Sequence, residues 1–170
     1  LRLASASGCG EYAAAAEAGF QFEESSSVGA REPVRDVAHT AAKGPAFSWM
    51  RTWCNGAVGV ALGQLMHGRG CSPETVAAAG QWDLGTSPDH TCCGHMGAAE
   101  LLLVAGQPER ALALAGAVVA RARATQTYQV AREIRDARFA PAFFQGLSGI
   151  GYQLLRLTHP GTLPSVVSFR

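Results

Sequence analysis

Three apolar segments of this chain each follow a turn with the pattern Gly-x-x-Gly, and each has the composition of a buried helix. The turns begin at Gly56, Gly94 and Gly146. The apolar segments behind them cover residues 57–66, 98–105 and 150–157. Because a helix that is apolar on every side is expected inside a fold, the pattern predicts three inner helices, each entered through a glycine turn.

More polar segments follow two of these inner helices and predict an outer layer. Ser72 and Pro73 combine a capping residue with proline at the first helical position, and residues 76–79 continue a short helix. In residues 107–123, arginines interrupt a stripe of alanine, leucine and valine, a pattern that is typical of a half-exposed helix. Residues 125–140 are a polar excursion, predicted to be partly helical.

The first part of the chain has a helix of its own and then loses its periodicity. Residues 9–22 are rich in alanine and carry aromatic or alanine positions every four residues, which predicts an amphipathic helix. Serine, glycine and proline interrupt the pattern from Glu23 to Phe47, so we expect a long connector, a type of segment that is often functional. His39 in this connector has no visible partner and is interpreted as a solvated histidine.

The spacing of the three glycine turns predicts a repeat. They are separated by 38 and 52 residues, which is typical of helical hairpins that place an inner helix before a more polar one. Such units bury their apolar faces on their neighbours, so three of them need caps or further repeats. We therefore predict an all-α helical repeat array, and its start at Leu1 instead of methionine leads us to expect that the chain continues upstream.

Composition and charge narrow the range of partners and compartments. Fourteen basic and thirteen acidic residues give a net charge of +1, so we expect neither a nucleic-acid nor a membrane-surface partner. The apolar runs are shorter than the roughly 20 residues of a transmembrane segment, and the first residues make a poor signal peptide. Five cysteines, two of them adjacent, argue against a disulfide framework and favour reduced thiols in a cytoplasmic protein.

Three of the cysteines lie just before glycine turns. Cys54 precedes the first turn, and Cys92 and Cys93 precede the second. Because the repeat superposes these turns at the same end of adjacent inner helices, we expect the three thiols to face one point. Three thiolates form a tetrahedral zinc site with one open position, as in catalytic zinc sites. His95 is a candidate fourth ligand, although its place two residues after Cys93 favours a position behind the ligands.

The alternative is that the cysteines are small buried hydrophobic residues, which is the usual role of a free thiol. Cys9 stands alone and is expected to be a buried or partly exposed structural thiol, and Cys71, in the linker after the first inner helix, is expected to be a bystander thiol. An adjacent pair of cysteines in one glycine turn, matched by a third in an equivalent turn, favours the metal site for the other three.

With these residues assembled, the chain resembles the lanthionine synthetase C-like cyclases, most closely the C-terminal cyclase domain of class II lanthipeptide synthetases. The matching segments are residues 53–63, 92–102 and 143–152, with Leu163-Pro164-Ser165-Val166 near the end. The resemblance implies that residues 1–170 are the C-terminal part of a partial α/α toroid of inner and outer helices. It also implies that zinc lies at the rim of the inner layer, bound by Cys54, Cys92 and Cys93.

The activity implied by the resemblance is that of a zinc-dependent lanthipeptide cyclase. Zinc would bind a cysteine thiol of the precursor peptide and lower its pKa. That sulfur would add to dehydroalanine or dehydrobutyrine, and an acid would protonate the enolate to give a lanthionine or methyllanthionine thioether. The implied partners are the precursor peptide and the missing N-terminal part of the synthetase.

Several positions depart from the pattern of this family. The Ala-His-Gly motif, whose histidine is a candidate acid or base, is absent, because Ala38-His39-Thr40 lacks the glycine. Met50 stands where the family often has arginine, and Asn55 where it often has histidine or tyrosine. Three hairpins are also fewer than the seven of the family. We therefore expect a C-terminal fragment or a degenerate copy, and the sequence assigns no catalytic residue.

Two other functions are compatible with these features. One is a non-catalytic helical-repeat remnant that binds a peptide or another subunit and keeps its thiols without turnover. The other is thiol addition to a small electrophile, such as the glutathione chemistry of related cyclase-like proteins. Bound zinc would favour an enzyme over the remnant, and activity without a leader peptide would favour the small electrophile.

Overall fold

The computed structural model describes residues 2–26, 52–54, 56–80, 82–130 and 140–168. Every regular element in these ranges is an α-helix, which confirms the all-α prediction. In chain order the helices are α1 (Arg2–Ser7), α2 (Gly10–Ser26), α3 (Ala57–Met66), α4 (Pro73–Ala79), α5 (His95–Val104), α6 (Pro108–Thr125) and α7 (Leu147–Thr158). The chain divides into two compact units, Leu1–Met50 and Arg51–Arg170. Within the described ranges, no helix is both long enough and apolar enough to cross a membrane.

The first unit contains α1 and α2. The predicted helix over residues 9–22 is present as α2, which continues to Ser26. The expected connector therefore begins later than Glu23, because four of its residues extend the helix. The rest of that segment, including His39, lies outside the described residues.

The second unit is built around α5, which packs against α3, α4, α6 and α7. All residues of α5 from His95 to Leu102 are buried. It begins three residues before the predicted segment, because Gly94 is already its N-cap. The sequence therefore identified the central helix but placed its start too late.

The other two predicted inner helices are present but are not buried on every side. The bounds of α3 match the prediction, and it buries Ala57, Val58, Ala61 and Leu62. Helix α7 begins at Leu147 instead of residue 150 and leaves Leu155 57% exposed. Among the described residues, the middle inner helix is thus the most fully buried of the three, from His95 to Leu102.

The outer helices follow the prediction closely. The Ser72 hydroxyl accepts a hydrogen bond from the Thr75 N–H at 3.1 Å, which confirms the cap of α4. Helix α6 begins with Pro108 and buries one stripe, consisting of Ala111, Ala115, Val118 and Ala122. It ends at Thr125, and residues 126–130 of the polar excursion are not helical. Residues 131–139 lie outside the described ranges.

The three glycine turns share one backbone geometry. Their first glycines, Gly56, Gly94 and Gly146, are the extended N-caps of α3, α5 and α7. Their second glycines lie against the carbonyl of the residue six places earlier. A Cβ there would lie 1.9 Å from the Trp53 oxygen at Gly59, 2.3 Å from the Thr91 oxygen at Gly97 and 1.8 Å from the Phe143 oxygen at Gly149. Only glycine leaves room for this approach, so the repeat seen in the sequence is also a repeat in space.

Backbone hydrogen bonds join the three turns in a row. The Trp53 N–H donates to the Cys92 carbonyl at 2.8 Å, and the Cys92 N–H donates to the Phe144 carbonyl at 2.9 Å. The indole N–H of Trp53 donates to the Val167 carbonyl at 3.1 Å. The second turn, which carries two cysteines, therefore lies between the other two.

Candidate metal centre

The structure brings together the three cysteines that the sequence singled out. The Sγ atoms of Cys54 and Cys93 are 3.5 Å apart, and those of Cys92 and Cys93 are 3.3 Å apart. All three sulfur atoms lie within 4.8 Å of one another. Two turns that are distant in the sequence thus place their thiols at one point.

The repeat explains why these side chains meet. Cys54 and Cys92 each stand two residues before the first glycine of their turn, and Cys93 follows Cys92 directly. The hydrogen bond from the Trp53 N–H to the Cys92 carbonyl holds the two turns side by side. Phe144 occupies the same position in the third turn, so that turn contributes an aromatic ring instead of a thiol.

The arrangement fits a zinc ion. Zinc–sulfur bonds of about 2.3 Å in a tetrahedron place two sulfur atoms about 3.8 Å apart, close to the two separations found here. Thiolates are the soft ligands that zinc accepts. Cys92 is buried, Cys93 is partly buried and Cys54 is exposed. The thiol group is therefore open to solvent on the side of Cys54, where a fourth ligand can approach.

The three thiols differ in how readily they ionise. Burial, followed by the neighbouring thiols, raises the pKa of Cys93 strongly. Burial also raises the pKa of Cys92. For Cys54 burial works in the same direction, but its hydrogen bonding with Cys92, Cys93 and Thr52 outweighs burial, so the pKa of Cys54 is lowered. Without a cation, the first thiolate of the group therefore forms at Cys54.

His95, the candidate fourth ligand, lies behind the thiols and not among them. Its Nδ1 is 2.9 Å from Oδ1 of Asp89, and both side chains are completely buried. The centroid of the His95 ring lies 5.5 Å from the centroid of the Trp82 ring. Nε2 of His95 has no hydrogen-bond partner among the described residues. This placement agrees with the position behind the ligands that the sequence favoured.

Asp89 is a residue of the site that sequence reasoning missed. Its Oδ2 accepts hydrogen bonds from the guanidinium of Arg121 and from the Gln129 N–H. Its neighbour His90 accepts the Cys93 N–H at Nδ1, at 3.1 Å. The signal available in the sequence was an Asp-His pair, Asp89-His90, separated from the two cysteines by Thr91 alone.

The remaining cysteines lie outside the thiol group. Cys71 and Cys9 are partly buried. The thiol of Cys71 donates to the Ser72 carbonyl at 3.7 Å, and burial raises its pKa. Both positions agree with the expectation of a partly exposed thiol at Cys9 and a bystander thiol at Cys71.

Comparison with known families adds an independent observation. Residues 35–168 match the family described as lanthionine synthetase C-like protein. No match was found among curated proteins or among solved structures. The matched range contains the three glycine turns and the three converging thiols. The chain therefore belongs to the lanthionine synthetase C-like protein family.

Proposed function

We propose that this chain is the C-terminal part of a zinc-dependent lanthipeptide cyclase, with Cys54, Cys92 and Cys93 as the zinc ligands. The observation that carries the proposal is the convergence of three thiols within 4.8 Å in a member of this family. An isolated buried cysteine needs no neighbour of its own kind. Three cysteines that converge from two separate turns indicate a shared metal ion.

The proposed reaction forms a carbon–sulfur bond within a precursor peptide. The chemistry that zinc supplies when bound is to hold a cysteine thiol of that peptide and lower its pKa, so that the thiolate exists at neutral pH. The sulfur then adds to the β-carbon of dehydroalanine or dehydrobutyrine. A proton delivered to the α-carbon completes the lanthionine or methyllanthionine thioether.

The chain's own residues set the direction from which the peptide arrives. Cys92 is buried beneath the group, whereas Cys54 is exposed. Trp53 directly precedes Cys54, and its ring lies parallel to that of Phe144. The backbones of Trp53 and Phe144 are both hydrogen-bonded to the backbone of Cys92. A substrate thiol therefore approaches on the Cys54 side, next to an aromatic surface.

The third cysteine gives this site a particular electrostatic character. Three thiolates carry one more negative charge than two thiolates and a neutral histidine. The added charge makes the metal less Lewis-acidic and a bound substrate sulfur more nucleophilic. We propose that Cys93 in this way favours fast cyclisation and tolerance of different substrates.

The proposal extends to the architecture and partners of the whole enzyme. The three inner helices belong to an α/α toroid whose remaining hairpins lie in an N-terminal part of the synthetase. The substrate is a dehydrated precursor peptide, and the reaction takes place in the cytoplasm, where thiols remain reduced.

Elemental analysis of the purified chain tests the proposal. We expect one zinc ion per chain in the wild type, loss of zinc in Cys54→Ala and retention in Cys71→Ala, since Cys71 lies outside the thiol group. Zinc-loaded protein would then be assayed for thioether formation on a dehydrated peptide. A well-folded wild type without zinc would overturn the proposal and favour a helical-repeat remnant that binds without turnover.

A further inference from the structure

We propose that Asp89 is a positioning residue whose buried carboxylate holds the turn of Cys92 and Cys93 where both thiols meet Cys54. The importance of this role for metal binding rests on the function proposed above. The positioning itself is a property of the protein alone, and it can be measured without a metal.

The carboxylate of Asp89 collects donors from three different parts of the chain. Its side chain is 0% exposed. Oδ1 pairs with Nδ1 of His95 at the start of α5, and Oδ2 accepts from Arg121 in α6. Oδ2 also accepts the Gln129 N–H, beyond the end of α6, at 2.6 Å. One side chain thus joins the base of the thiol turn to the outer helix and to the segment that follows it.

The bond to His95 closes the thiol turn across its base. Asp89 precedes the turn and His95 follows it, so Cys92 and Cys93 lie on the loop between them. Two backbone bonds run beside this contact: the His95 N–H donates to the Pro88 carbonyl at 3.0 Å, and the Met96 N–H donates to the Asp89 carbonyl at 3.1 Å. The two ends of the loop therefore cannot separate while the carboxylate remains in place.

Arg121 fixes this closed loop to the rest of the unit. Besides Asp89, its guanidinium donates to the Leu84 carbonyl at 2.6 Å and to Oε1 of Gln129 at 3.1 Å. The backbone N–H of Asp89 also donates to the Gln129 carbonyl at 2.6 Å, which is a second hydrogen bond between these two residues. The loop is thus held against elements that carry none of the thiols.

This support matters because converging thiols resist being held together. Thiolates repel one another at such separations, and ordering a loop costs conformational entropy. A framework that fixes the loop beforehand removes that cost from ligand binding. Groups that orient metal ligands from behind typically change metal affinity 10–100-fold when they are removed.

Glu100, in α5, provides a matched control for Asp89. It is also 0% exposed and pairs with an arginine, since Arg156 donates to it from α7 at 2.9 Å. Glu100 also accepts a hydrogen bond from Nε2 of Gln153, which lies on α7 as well. Glu100→Gln and Asp89→Asn therefore remove equivalent buried charges. Of the two carboxylates, that of Asp89 is bonded across the thiol turn, to His95, whereas that of Glu100 is bonded to α7.

The first experiment titrates the full chain with Co²⁺, whose sulfur-to-cobalt absorption bands report thiolate ligation. We expect Asp89→Asn to weaken Co²⁺ affinity, measured by competition with a chelator, by about 10- to 100-fold. We expect Glu100→Gln to stay within about threefold of the wild type, although both variants lower the melting temperature. Equal affinities in wild type and Asp89→Asn, or equal losses in the two variants, would overturn the positioning role.

The second experiment measures the positioning without a metal. Metal-free protein is equilibrated with oxidised and reduced glutathione, so that two protein thiols and oxidised glutathione exchange with a protein disulfide and two reduced glutathione molecules. Peptide mass spectrometry quantifies the Cys54–Cys93 disulfide, and the equilibrium gives the effective concentration of one thiol at the other. We expect this value to fall by about tenfold or more in Asp89→Asn and to stay unchanged in Glu100→Gln.

The two experiments separate the inference from the proposed function. If wild-type protein binds no metal but the effective concentration falls only in Asp89→Asn, the zinc proposal fails and the positioning role stands. If cobalt binds equally well to wild type and Asp89→Asn and the effective concentration is unchanged, the positioning role fails and the zinc proposal stands.

Discussion

The rings of Trp53 and Phe144 lie parallel, with 5.3 Å between their centroids and 1° between their planes. Trp53 belongs to the first glycine turn and Phe144 to the third, so the stack joins the two turns that flank the buried thiol of Cys92. Phe144 remains 39% exposed. The contact therefore stabilises the row of turns and leaves an aromatic surface at its edge.

Replacing Phe144 with alanine tests this contact. We expect the free energy of unfolding to fall by about 0.5–1.5 kcal/mol for each of the two lost ring pairs, with Trp53 and with Phe143, in addition to the loss of buried apolar area. Urea denaturation followed by circular dichroism measures the change. Leu155→Ala removes a 57% exposed side chain and should change stability by less than about 0.5 kcal/mol. Equal effects of the two variants would mean that the stack contributes nothing.

Replacement by alanine is predicted to have opposite effects on stability at two glycines of α7. A Cβ on Gly149 would lie 1.8 Å from the Phe143 carbonyl oxygen, whereas nothing lies within 4 Å of a Cβ on Gly151. Gly149→Ala should therefore lower stability by about 1–3 kcal/mol, as overpacking does. Gly151→Ala should raise it by about 0.5–1 kcal/mol, because alanine favours the helix. Thermal unfolding of both variants is the test, and a Gly149→Ala protein as stable as wild type would contradict the close approach.

The ion pair of Glu100 and Arg156 predicts a compensating double variant. Arg156→Met should cost about 3–5 kcal/mol, because it leaves the carboxylate of Glu100 buried without its cation. Changing Glu100 to methionine as well removes the stranded charge, so the double variant should be more stable than Arg156→Met. Denaturant titration of the single and double variants gives the comparison. A double variant less stable than the single one would show that the carboxylate is not the source of the cost.

Cys93→His tests the electrostatic role proposed for the third thiolate. Histidine also binds zinc, so we expect the variant to retain one metal ion per chain. Its Co²⁺ form should lose about one third of the sulfur-to-cobalt absorption, since two thiolates remain of three. Cyclisation of a dehydrated peptide should be slower than in wild type. An unchanged rate with the expected spectrum would contradict the link between charge and nucleophilicity.

Cys71 gives a prediction about pH that does not involve the metal. Burial raises the pKa of its thiol above the ordinary value, and only the thiolate reacts with iodoacetamide. Alkylation of Cys71 should therefore be slower than that of free glutathione near neutral pH and should continue to accelerate at pH values where glutathione has levelled off. Peptide mass spectrometry of the protein, mixed with glutathione at several pH values, measures both alkylation rates. A Cys71 profile that coincides with that of glutathione would be inconsistent with its burial.

Local patterns in the sequence were sufficient to predict much of the second unit. Glycine pairs predicted the starts of three helices to within three residues, and Ser72 with Pro73 marked another. The convergence of Cys54 with Cys92 and Cys93 followed from the repeat alone, because equivalent turns of stacked hairpins lie side by side. These features depend on short-range rules and on periodicity, both of which a single sequence displays.

The support behind the thiols could not be predicted in the same way. Asp89, Arg121 and Gln129 meet only because α6 returns along α5, and no spacing in the sequence records that contact. The exposed side of α7 was missed for a related reason. Leu155 is apolar, and whether an apolar residue is covered depends on which neighbours are present. Tertiary contacts between polar groups therefore required the structure.

The shared backbone of the three glycine turns separates folding from chemistry. The turn is specified by features of the backbone, namely its two glycines and the carbonyl six residues before the second one. The position two residues before the first glycine holds Cys54, Cys92 or Phe144 on the same framework. The side chain at that position can therefore change from a thiol to an aromatic ring while the surrounding loop keeps its shape.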